Sequence, residues 1–362
     1  MTAARRDETR APSGVSSRAP FGWYGSKGRL AARIAKLATA ISHRVYIEPY
    51  AGSAAVLFAK ARVPVEIIND ANGQVVNFFR VLRDYPAELA RACQLTPYAR
   101  GEYQEIDLET SEHNGHREIE QARRFWVRSV QSFNNAGAGR RVGWAVSSAR
   151  GSNEARSASA LASELEAIAV RLAGVYVEQA DALKLIRRHS AADVLIYADP
   201  PYLAETRTGF DRSCRGDYRH EASASHHVAL AEALQASSAA VLISGYDHPL
   251  YRHLYESWHR TEIRVAKPSA NHAAAGSRHA IEVIWSNRPL AIEATLFDGI
   301  TLTAGVTKLP PPARPCDETR GLAPCCQVCG AQITGAATGR PRSYCSRSCQ
   351  ARAYRARARR RG

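Results

Sequence analysis

The residues best suited to chemistry are Asp199-Pro200-Pro201-Tyr202, which close the apolar run Val194-Leu195-Ile196-Tyr197-Ala198. An exocyclic amine conjugated to an aromatic ring is a poor nucleophile, because its lone pair is spread into the ring. The Asp199 carboxylate and the Pro200 carbonyl can each accept one N–H bond from such an amine, pull it toward tetrahedral geometry and aim its lone pair at an electrophile. The two prolines fix φ and remove N–H donors, so the turn presents acceptors and stays stiff. Tyr202 adds a ring face on which a base taken out of a helix can stack. Taken alone, the four residues also fit an ordinary strand-ending turn that contains two prolines.

A second segment has the form of a cofactor site. Arg44-Val45-Tyr46-Ile47-Glu48 reads as a short buried strand, followed by the small-residue turn Pro49-Tyr50-Ala51-Gly52-Ser53-Ala54 and a helical stretch from Ala55 to Ala61. A strand, a turn of small residues and a helix let a ligand approach the backbone closely. The next strand, Val65-Glu66-Ile67-Ile68, ends in Asn69-Asp70, and an acid at that spacing after Gly52 suits ribose hydroxyls. The turn is not a dinucleotide glycine fingerprint and offers no pyrophosphate cradle, which points to a nucleoside cofactor without phosphates. Upstream, Trp23 and Lys27 flank a tight glycine turn in Phe21-Gly22-Trp23-Tyr24-Gly25-Ser26-Lys27-Gly28, before an amphipathic helix from Leu30 to Ile41. Such a lysine can meet a carboxylate, and the tryptophan can pack on a flat or cationic group. The plainer reading of this segment is a buried aromatic beside a solvated lysine.

In this order the segments resemble the Dam-like, alpha-group N6-adenine DNA methyltransferases, especially their phage-borne members. The resemblance runs from about Pro20 to Pro289. It is carried by Trp23-Tyr24-Gly25-Ser26-Lys27, Tyr46-Ile47-Glu48-Pro49-Tyr50-Ala51-Gly52-Ser53, Ile68-Asn69-Asp70, Asp199-Pro200-Pro201-Tyr202, Leu242-Ile243-Ser244-Gly245-Tyr246 and Glu282-Val283-Ile284-Trp285-Ser286-Asn287. It implies S-adenosylmethionine as methyl donor and transfer to a flipped adenine in duplex DNA, with site-specific modification of the restriction-modification type. By position, Trp23, Lys27, Glu48, Gly52, Asp70 and Asp199 look like the cofactor-contacting residues, Asp181 like the residue that holds the cofactor's adenine, and Asp199 to Tyr202 like the catalytic turn. The chain departs from many relatives in carrying Ala54 where they have a second glycine, and Gly25-Ser26 where they have Gly-Gly.

The positioning elements imply an α/β fold, a Rossmann-like class I methyltransferase sheet with helices on both faces. Its further strands are expected at Val175 to Glu178, Val194 to Ala198, Ala240 to Ser244, Trp258 to Ala266 and Ile281 to Ser286. The predicted organisation is a disordered tail over 1–19, the cofactor half of the catalytic domain over 20–82, an inserted, mainly helical target-recognition domain over 83–165, the catalytic half over 166–300, a proline-rich linker over 301–324 and a basic module over 325–362. The insert is inferred because the chain from Asp70 to Val194 is far longer than a βαβ connection requires. Within it, Asn134, Asn135, Arg140, Arg141 and Trp144 suit a hairpin or loop entering a DNA groove, although a solvated surface loop has the same composition. Leu203 to His220, with Arg207, Arg212, Arg215 and Arg219, is expected to form a basic lid beside the catalytic turn. His226 and His227 start a helical stretch and read as surface residues.

Charge concentrates at one end. Of a formal net charge of +15, residues 340–362 supply nine arginines and no acid. Non-specific phosphate attraction is therefore expected mainly from the tail. There, Cys326-Gln327-Val328-Cys329 and Cys345-Ser346-Arg347-Ser348-Cys349 have the spacing of a four-thiolate zinc site. Cys325 can replace Cys326, while Cys93 and Cys214 read as isolated thiols. No long apolar run and no charged-then-apolar leader is seen, so the expectation is a soluble, cytoplasmic, monomeric protein that binds double-stranded DNA. Two alternatives stay open on the sequence. One is methylation of another planar amine, such as cytosine N4, RNA adenine or glutamine; the other is a catalytically dead DNA-binding protein on the same fold.

Overall fold

The computed structural model describes residues 18–23, 25–28, 30–106, 116–133, 137, 142–146, 153–203, 223–266, 279–290 and 300–302. The chain divides into two compact units, Met1–Gly305 and Val306–Gly362, and every described residue lies in the first. The cysteines and arginines of the tail, residues 303–324 of the proposed linker and residues 1–17 of the proposed N-terminal tail are outside the described residues; the first two linker positions, Thr301 and Leu302, are instead paired with the sheet.

The frame of this unit is one eight-stranded sheet. Its strands are β1 (Val45–Glu48), β2 (Val65–Asn69), β3 (Val175–Glu178), β4 (Val194–Ala198), β5 (Ala240–Gly245), β6 (His259–Ala266), β7 (His279–Ser286) and β8 (Ile300–Leu302), in the order β3-β2-β1-β4-β5-β7-β6-β8. The first five pair in parallel, whereas β7 runs antiparallel to both β5 and β6, and β8 antiparallel to β6. The chain steps outward from β1 to β2 and β3, then returns to place β4 against the other side of β1, with Val45 opposite Val194 and Ile47 opposite Ile196. That reversal is a topological switch point, where the carboxyl ends of neighbouring strands open a crevice. The doubly wound sheet is the expected one. The short β8 was not anticipated, and β5 and β7 each run slightly past their expected ends.

The sheet is buried on both faces because its strands alternate. Tyr46, Ile68, Leu195, Tyr197, Leu242 and Ile284 point into one core, while Ile47, Ile67, Ile196, Ile243, Val283 and Trp285 point into the other. The first core is covered by α1 (Ala31–Thr39), α2 (Ala55–Ala59), α3 (Gly73–Asp84), α4 (Pro86–Gln94), α6 (His116–Val130) and α7 (Glu154–Leu172), with the short α5 (Arg100–Glu105) between them in the chain. The second is covered by α8 (Ala182–Arg188), α9 (Ala224–Gln235) and α10 (Pro249–Leu254). Asn72, Asn153, Asp181 and Ser223 cap α3, α7, α8 and α9 with side-chain oxygens, satisfying N–H groups that have no partner inside the helix. Helix α2 stops before its expected end because Lys60 turns extended and sends its ammonium to Glu66.

The 83–165 segment shares the first core with the sheet. Phe125 and Trp126 of α6 are buried, Phe125 packs at 5.0 Å from Phe21 and 5.7 Å from Phe78, and the Trp126 indole donates to the Pro20 carbonyl. The segment that carries Trp23 and Lys27 is thus pinned to α6 by aromatic edges.

A buried ion group ties β2 to two helices. Arg171 of α7 makes a paired contact with Glu66 at 2.7 and 3.0 Å and donates to the Leu57 carbonyl of α2, while Lys60 reaches Glu66 at 2.6 Å. Burial pushes the Glu66 carboxyl up, but the Arg171 and Lys60 cations outweigh it and hold it below the ordinary range. Removing one partner of such a group strands the others without water, so Arg171→Ala is expected to destabilise the fold by about 3–5 kcal/mol. Urea denaturation followed by circular dichroism checks this; a loss below about 1 kcal/mol would show that Glu66 finds water instead.

Candidate active site

The two turns singled out in the sequence follow β1 and β4, the strands on either side of the switch point. Each owes its shape to local constraints. Gly52 has φ +49°, and a Cβ there would stand 2.7 Å from Cδ1 of Trp23, so this position needs glycine for both conformation and space. Ala54 also takes a left-handed conformation, φ 52°, at the start of α2. That explains why a glycine suits this place; the alanine methyl is accommodated at a modest backbone cost. Asp70, at the end of β2, accepts from the Gly52 N–H at 2.9 Å and from the Asn72 N–H at 2.8 Å. Asn69 beside it donates to the Pro49 and Ala180 carbonyls. Ser26 and Ser53 share a hydroxyl bond of 2.9 Å, which joins the glycine turn before α1 to the turn after β1. The departure to Ser26 therefore adds a brace between the two turns.

Glu48 lies beneath the β1 turn, almost wholly buried. Its Oε1 accepts from the Tyr46 hydroxyl at 2.8 Å and from the Leu57 N–H at 2.7 Å, so it braces the first turn of α2. Burial pushes its carboxyl up to about 7 despite those bonds and the Lys60 cation.

The β4 turn is the electrostatic centre. Parallel pairing sets Ala198 opposite Ile243, so the residues that follow, Asp199 and Ser244, stand side by side. Ser244 donates to Asp199 Oδ1 at 2.8 Å, and Lys27 Nζ reaches the same oxygen at 2.8 Å. Because the Ser244 proton is committed to Asp199, the Tyr197 hydroxyl 3.2 Å away is the donor to Ser244. Lys27 also lies 3.6 Å from Glu282 and 4.6 Å over the Tyr202 ring, and the Tyr202 hydroxyl donates to Glu282 in a short bond. Tyr246 meets the Tyr202 ring at 4.8 Å in a T-shaped contact.

Both Lys27 and Glu282 are buried, at 7% and 5% exposure. Burial alone would lower the Lys27 ammonium, but the Asp199 and Glu282 carboxylates outweigh it and hold it above its ordinary value. Burial pushes the Glu282 carboxyl up, partly offset by Lys27. With all three ionised, two carboxylates share one ammonium, and the negative charge left over favours a cationic ligand. Asp199 Oδ1 is fully engaged, and among the described residues nothing donates to Oδ2.

Trp23, Lys27, Gly52, Asp70, Asp199, Pro200, Pro201 and Tyr202 gather at the carboxyl ends of β1, β2 and β4, as the sequence suggests. The reading of Lys27 as solvated is corrected, because the lysine is buried against two carboxylates and Trp23 is the half-exposed member of the pair. Asp181 lies exposed past β3, with one oxygen capping α8 through Lys184 N–H. Trp144 pairs with Ser132 in an isolated bridge, packs on Tyr98 and carries the Arg100 guanidinium 4.9 Å over its indole. Asn134, Asn135, Arg140, Arg141, Arg207 and Arg212 lie outside the described residues, as do Cys326, Cys329, Cys345 and Cys349. Cys93 is a buried free thiol. Among the described residues no three His, Cys, Asp or Glu side chains are placed to hold a metal, and no helix is long and apolar enough to cross a membrane.

Sequence reasoning gives Glu282 and Ser244 no role beyond membership of their strands. The available signal was a lone acid in the apolar strand Ala280-Ile281-Glu282-Val283-Ile284, since an ionisable residue on a buried strand face needs a partner. The surface reading of His227 is also corrected: it is 1% exposed, and its ring packs against Tyr251 of α10 and is bonded to that hydroxyl.

Comparison with known proteins agrees with this geometry. A family model described as D12 class N6 adenine-specific DNA methyltransferase matches residues 23–267. The Type II methyltransferase M1.LlaDCHI of Lactococcus lactis subsp. cremoris is 26% identical over 283 residues, covering 73% of this chain and 93% of that protein.

The buried Glu48 generates a pH dependence. Its carboxyl titrates near 4.5 when unfolded and about 7 when folded. The folded state therefore holds this proton more tightly. The stability it favours is complete below pH 4.5, declines as the pH rises and is gone above about pH 7. Between pH 5 and pH 8, cofactor-free protein is expected to lose about 2–3 kcal/mol relative to the Glu48→Gln variant. Urea titrations of both proteins at the two pH values measure it; an equal gap at both would assign the titration elsewhere.

Proposed function

The chain belongs to the D12 class of N6 adenine-specific DNA methyltransferases, and from that membership we propose how its own residues carry out the methylation of adenine N6 in DNA. Its sheet is the Rossmann-like class I methyltransferase sheet. S-adenosylmethionine, the methyl donor expected for the family, supplies a methyl group activated on a positively charged sulfur. The residues fit such a ligand: the Gly52 turn lies flat against Trp23, where a Cβ would not fit, and the Lys27–Asp199–Glu282 group carries carboxylate in excess over ammonium. In this reading Trp23, Lys27, Gly52, Asp70, Asp181 and Asp199 surround the cofactor, and Glu48 acts on it through the turn it braces.

The observation that carries the catalytic assignment is the division of labour on Asp199. Lys27 and Ser244 both occupy Oδ1, which orients the carboxylate and leaves Oδ2 to accept an N–H from the target amine. The Pro200 carbonyl supplies the second acceptor. Together they draw the amine toward tetrahedral geometry with its lone pair free to attack, and the proton it sheds can leave along the Asp199 hydrogen bond. Lys27 over one side of Tyr202 and Glu282 on its hydroxyl hold that ring for stacking on the adenine.

Target reading is assigned to the 83–165 segment. The Tyr98–Trp144–Arg100 stack supports it, because the indole holds the guanidinium of an exposed arginine ready for a base edge or phosphate. The name of the Lactococcus relative supports placing this chain among restriction-modification enzymes. We assign the protein to the cytoplasm, where unpackaged DNA is accessible, as a monomer. The spacing of Cys326, Cys329, Cys345 and Cys349 supports one structural zinc that orders the arginine-rich end for phosphate contact.

Two experiments test these roles. Asp199→Ala is expected to slow single-turnover methyl transfer to unmethylated DNA by about 10²–10³ while the protein stays folded; near wild-type transfer would remove Asp199 from the mechanism. Cutting the chain near Pro312 is expected to abolish zinc binding and flatten the salt dependence of DNA binding. The log–log slope should fall in magnitude by about 0.9 for each phosphate that the tail no longer neutralises. The methylated sequence should be unchanged, so an altered target sequence or an unaltered slope would overturn the role given to the tail.

A further inference from the structure

We propose that Gln131 is a positioning residue for DNA engagement: its buried side-chain amide fixes the Trp144 indole and the segment leading into Arg100 relative to one another, so that this stacked pair meets the duplex as one preformed surface. This rests on the assignment of target reading to the 83–165 segment.

Gln131 directly follows α6 and is 1% exposed. Its Oε1 accepts from the Ala99 N–H at 3.2 Å and from the Trp144 Nε1–H at 3.2 Å, while its Nε2 donates to the Pro97 carbonyl at 3.0 Å. Two of these partners can only donate and the third can only accept, which sets the orientation of the amide. A buried amide must find its partners inside the protein, and this one draws them from a segment before α5 and from another after α6. Its backbone carbonyl also accepts from the Ala145 N–H at 2.8 Å. The bond to Ala99 holds the residue just before Arg100, which opens α5. The bond to Trp144 orients the indole, over which the Arg100 guanidinium lies at 4.9 Å. One amide oxygen therefore holds both halves of the cation–π pair.

The strand pair that carries Trp144 is too small to aim itself. Ser132 and Trp144 form an isolated bridge, bracketed by the bonds from Phe133 N–H to the Gly143 carbonyl at 2.9 Å and from Ala145 N–H to the Gln131 carbonyl. A two-stranded pair of this size is not stable alone in water, so side chains from elsewhere must set its direction. The Tyr98 and Tyr103 hydroxyls hold its main chain, donating to the Ala145 and Val142 carbonyls at 2.8 and 2.6 Å. Gln131 holds the indole. Arg100 is exposed, and a guanidinium stacked flat on a ring keeps its N–H edges available to an anion or base edge in its own plane. A contact group fixed before binding gives up less freedom when DNA arrives. Loss of the amide would free the ring and the guanidinium to part, so its cost falls on DNA engagement and not on the chemistry at Asp199.

The test compares full-length wild type with Gln131→Met, Trp144→Phe, the double variant and Arg100→Ala. Single-turnover methylation of unmethylated plasmid DNA is followed over a range of DNA concentrations at saturating S-adenosylmethionine, and thermal midpoints are measured alongside. Methionine keeps the length of glutamine without its bonds, and phenylalanine keeps a ring beneath Arg100 without the N–H that Gln131 accepts. The expected result is that Gln131→Met raises the DNA concentration for half-saturation by about tenfold and lowers the saturating rate by less than about threefold. Trp144→Phe should raise half-saturation by about threefold or more. The double variant should stay within about twofold of Gln131→Met, because both changes break the same bond. Effects that multiply in the double variant would overturn the proposal. So would wild-type half-saturation in Trp144→Phe, whether or not Gln131→Met folds, or a Gln131→Met loss confined to the saturating rate. Wild-type half-saturation in Arg100→Ala would instead bring down the target reading assigned to this face, and a weakened Arg100→Ala beside an unchanged Gln131→Met would remove Gln131 alone.

Discussion

The parallel pairing of β1 with β4 is the constraint on which everything else depends. Two segments far apart in the chain, one ending in Glu48 and the other in Asp199, become neighbours only because the chain reverses its winding direction between them. Both strands are apolar on two faces, so register is enforced from each core: Tyr46 and Leu195 must meet one helical layer while Ile47 and Ile196 meet the other. A slip of one residue would exchange those faces. The cofactor-type turn and the acceptor turn are therefore held in relation by the β1–β4 ladder and by the burial that fixes its register.

On that frame the polar residues are arranged by shortage. One buried ammonium serves two carboxylates, Glu282 buried and Asp199 partly so, and a serine and two tyrosines supply the remaining donors. Buried charges are tolerated when each is paired and hydrogen-bonded. The same arrangement leaves the Asp199 carboxylate oriented, with one oxygen saturated. A second buried group, Glu66 with Lys60 and Arg171, obeys the same rule at a site with no evident chemistry, so pairing alone does not mark function. What separates them is position: Glu66 faces helices, whereas Asp199 stands at a strand end beside the switch point.

Much of this was legible in the sequence because it depended on local order. The strand-turn-helix around Gly52, the stiff turn at Asp199 and the doubly wound sheet follow from periodicity, glycine and proline, and the structure has them in place. Lys27 admits two readings, because nothing local distinguishes a solvated lysine from one that meets an acid near residue 199. Glu282 is a visible anomaly without a visible partner, since its partners lie in distant segments. His227 looks like a surface residue because a polar pair at a helix start usually faces water, and only the contact with Tyr251 of α10 turns one imidazole inward. Helix ends shift where a side chain has a stronger tertiary partner, as Lys60 does in Glu66. Ser26, whose hydroxymethyl group departs from the family pattern, proves to have its own partner in Ser53.

The distribution of the central group along the chain has a kinetic consequence. Lys27, Asp199 and Glu282 come from the beginning, the middle and the last long strand of the described fold, and Arg33 of α1 likewise donates to the Arg264 carbonyl of β6. Contacts of such separation form late, after the loops between them have closed. During synthesis the lysine emerges first and the glutamate nearly last, so a nascent chain carries both glycine turns long before it can assemble the charge group that links them. A truncated or half-folded chain therefore lacks the complete pocket, and the reactive geometry is postponed until the antiparallel edge of the sheet has paired.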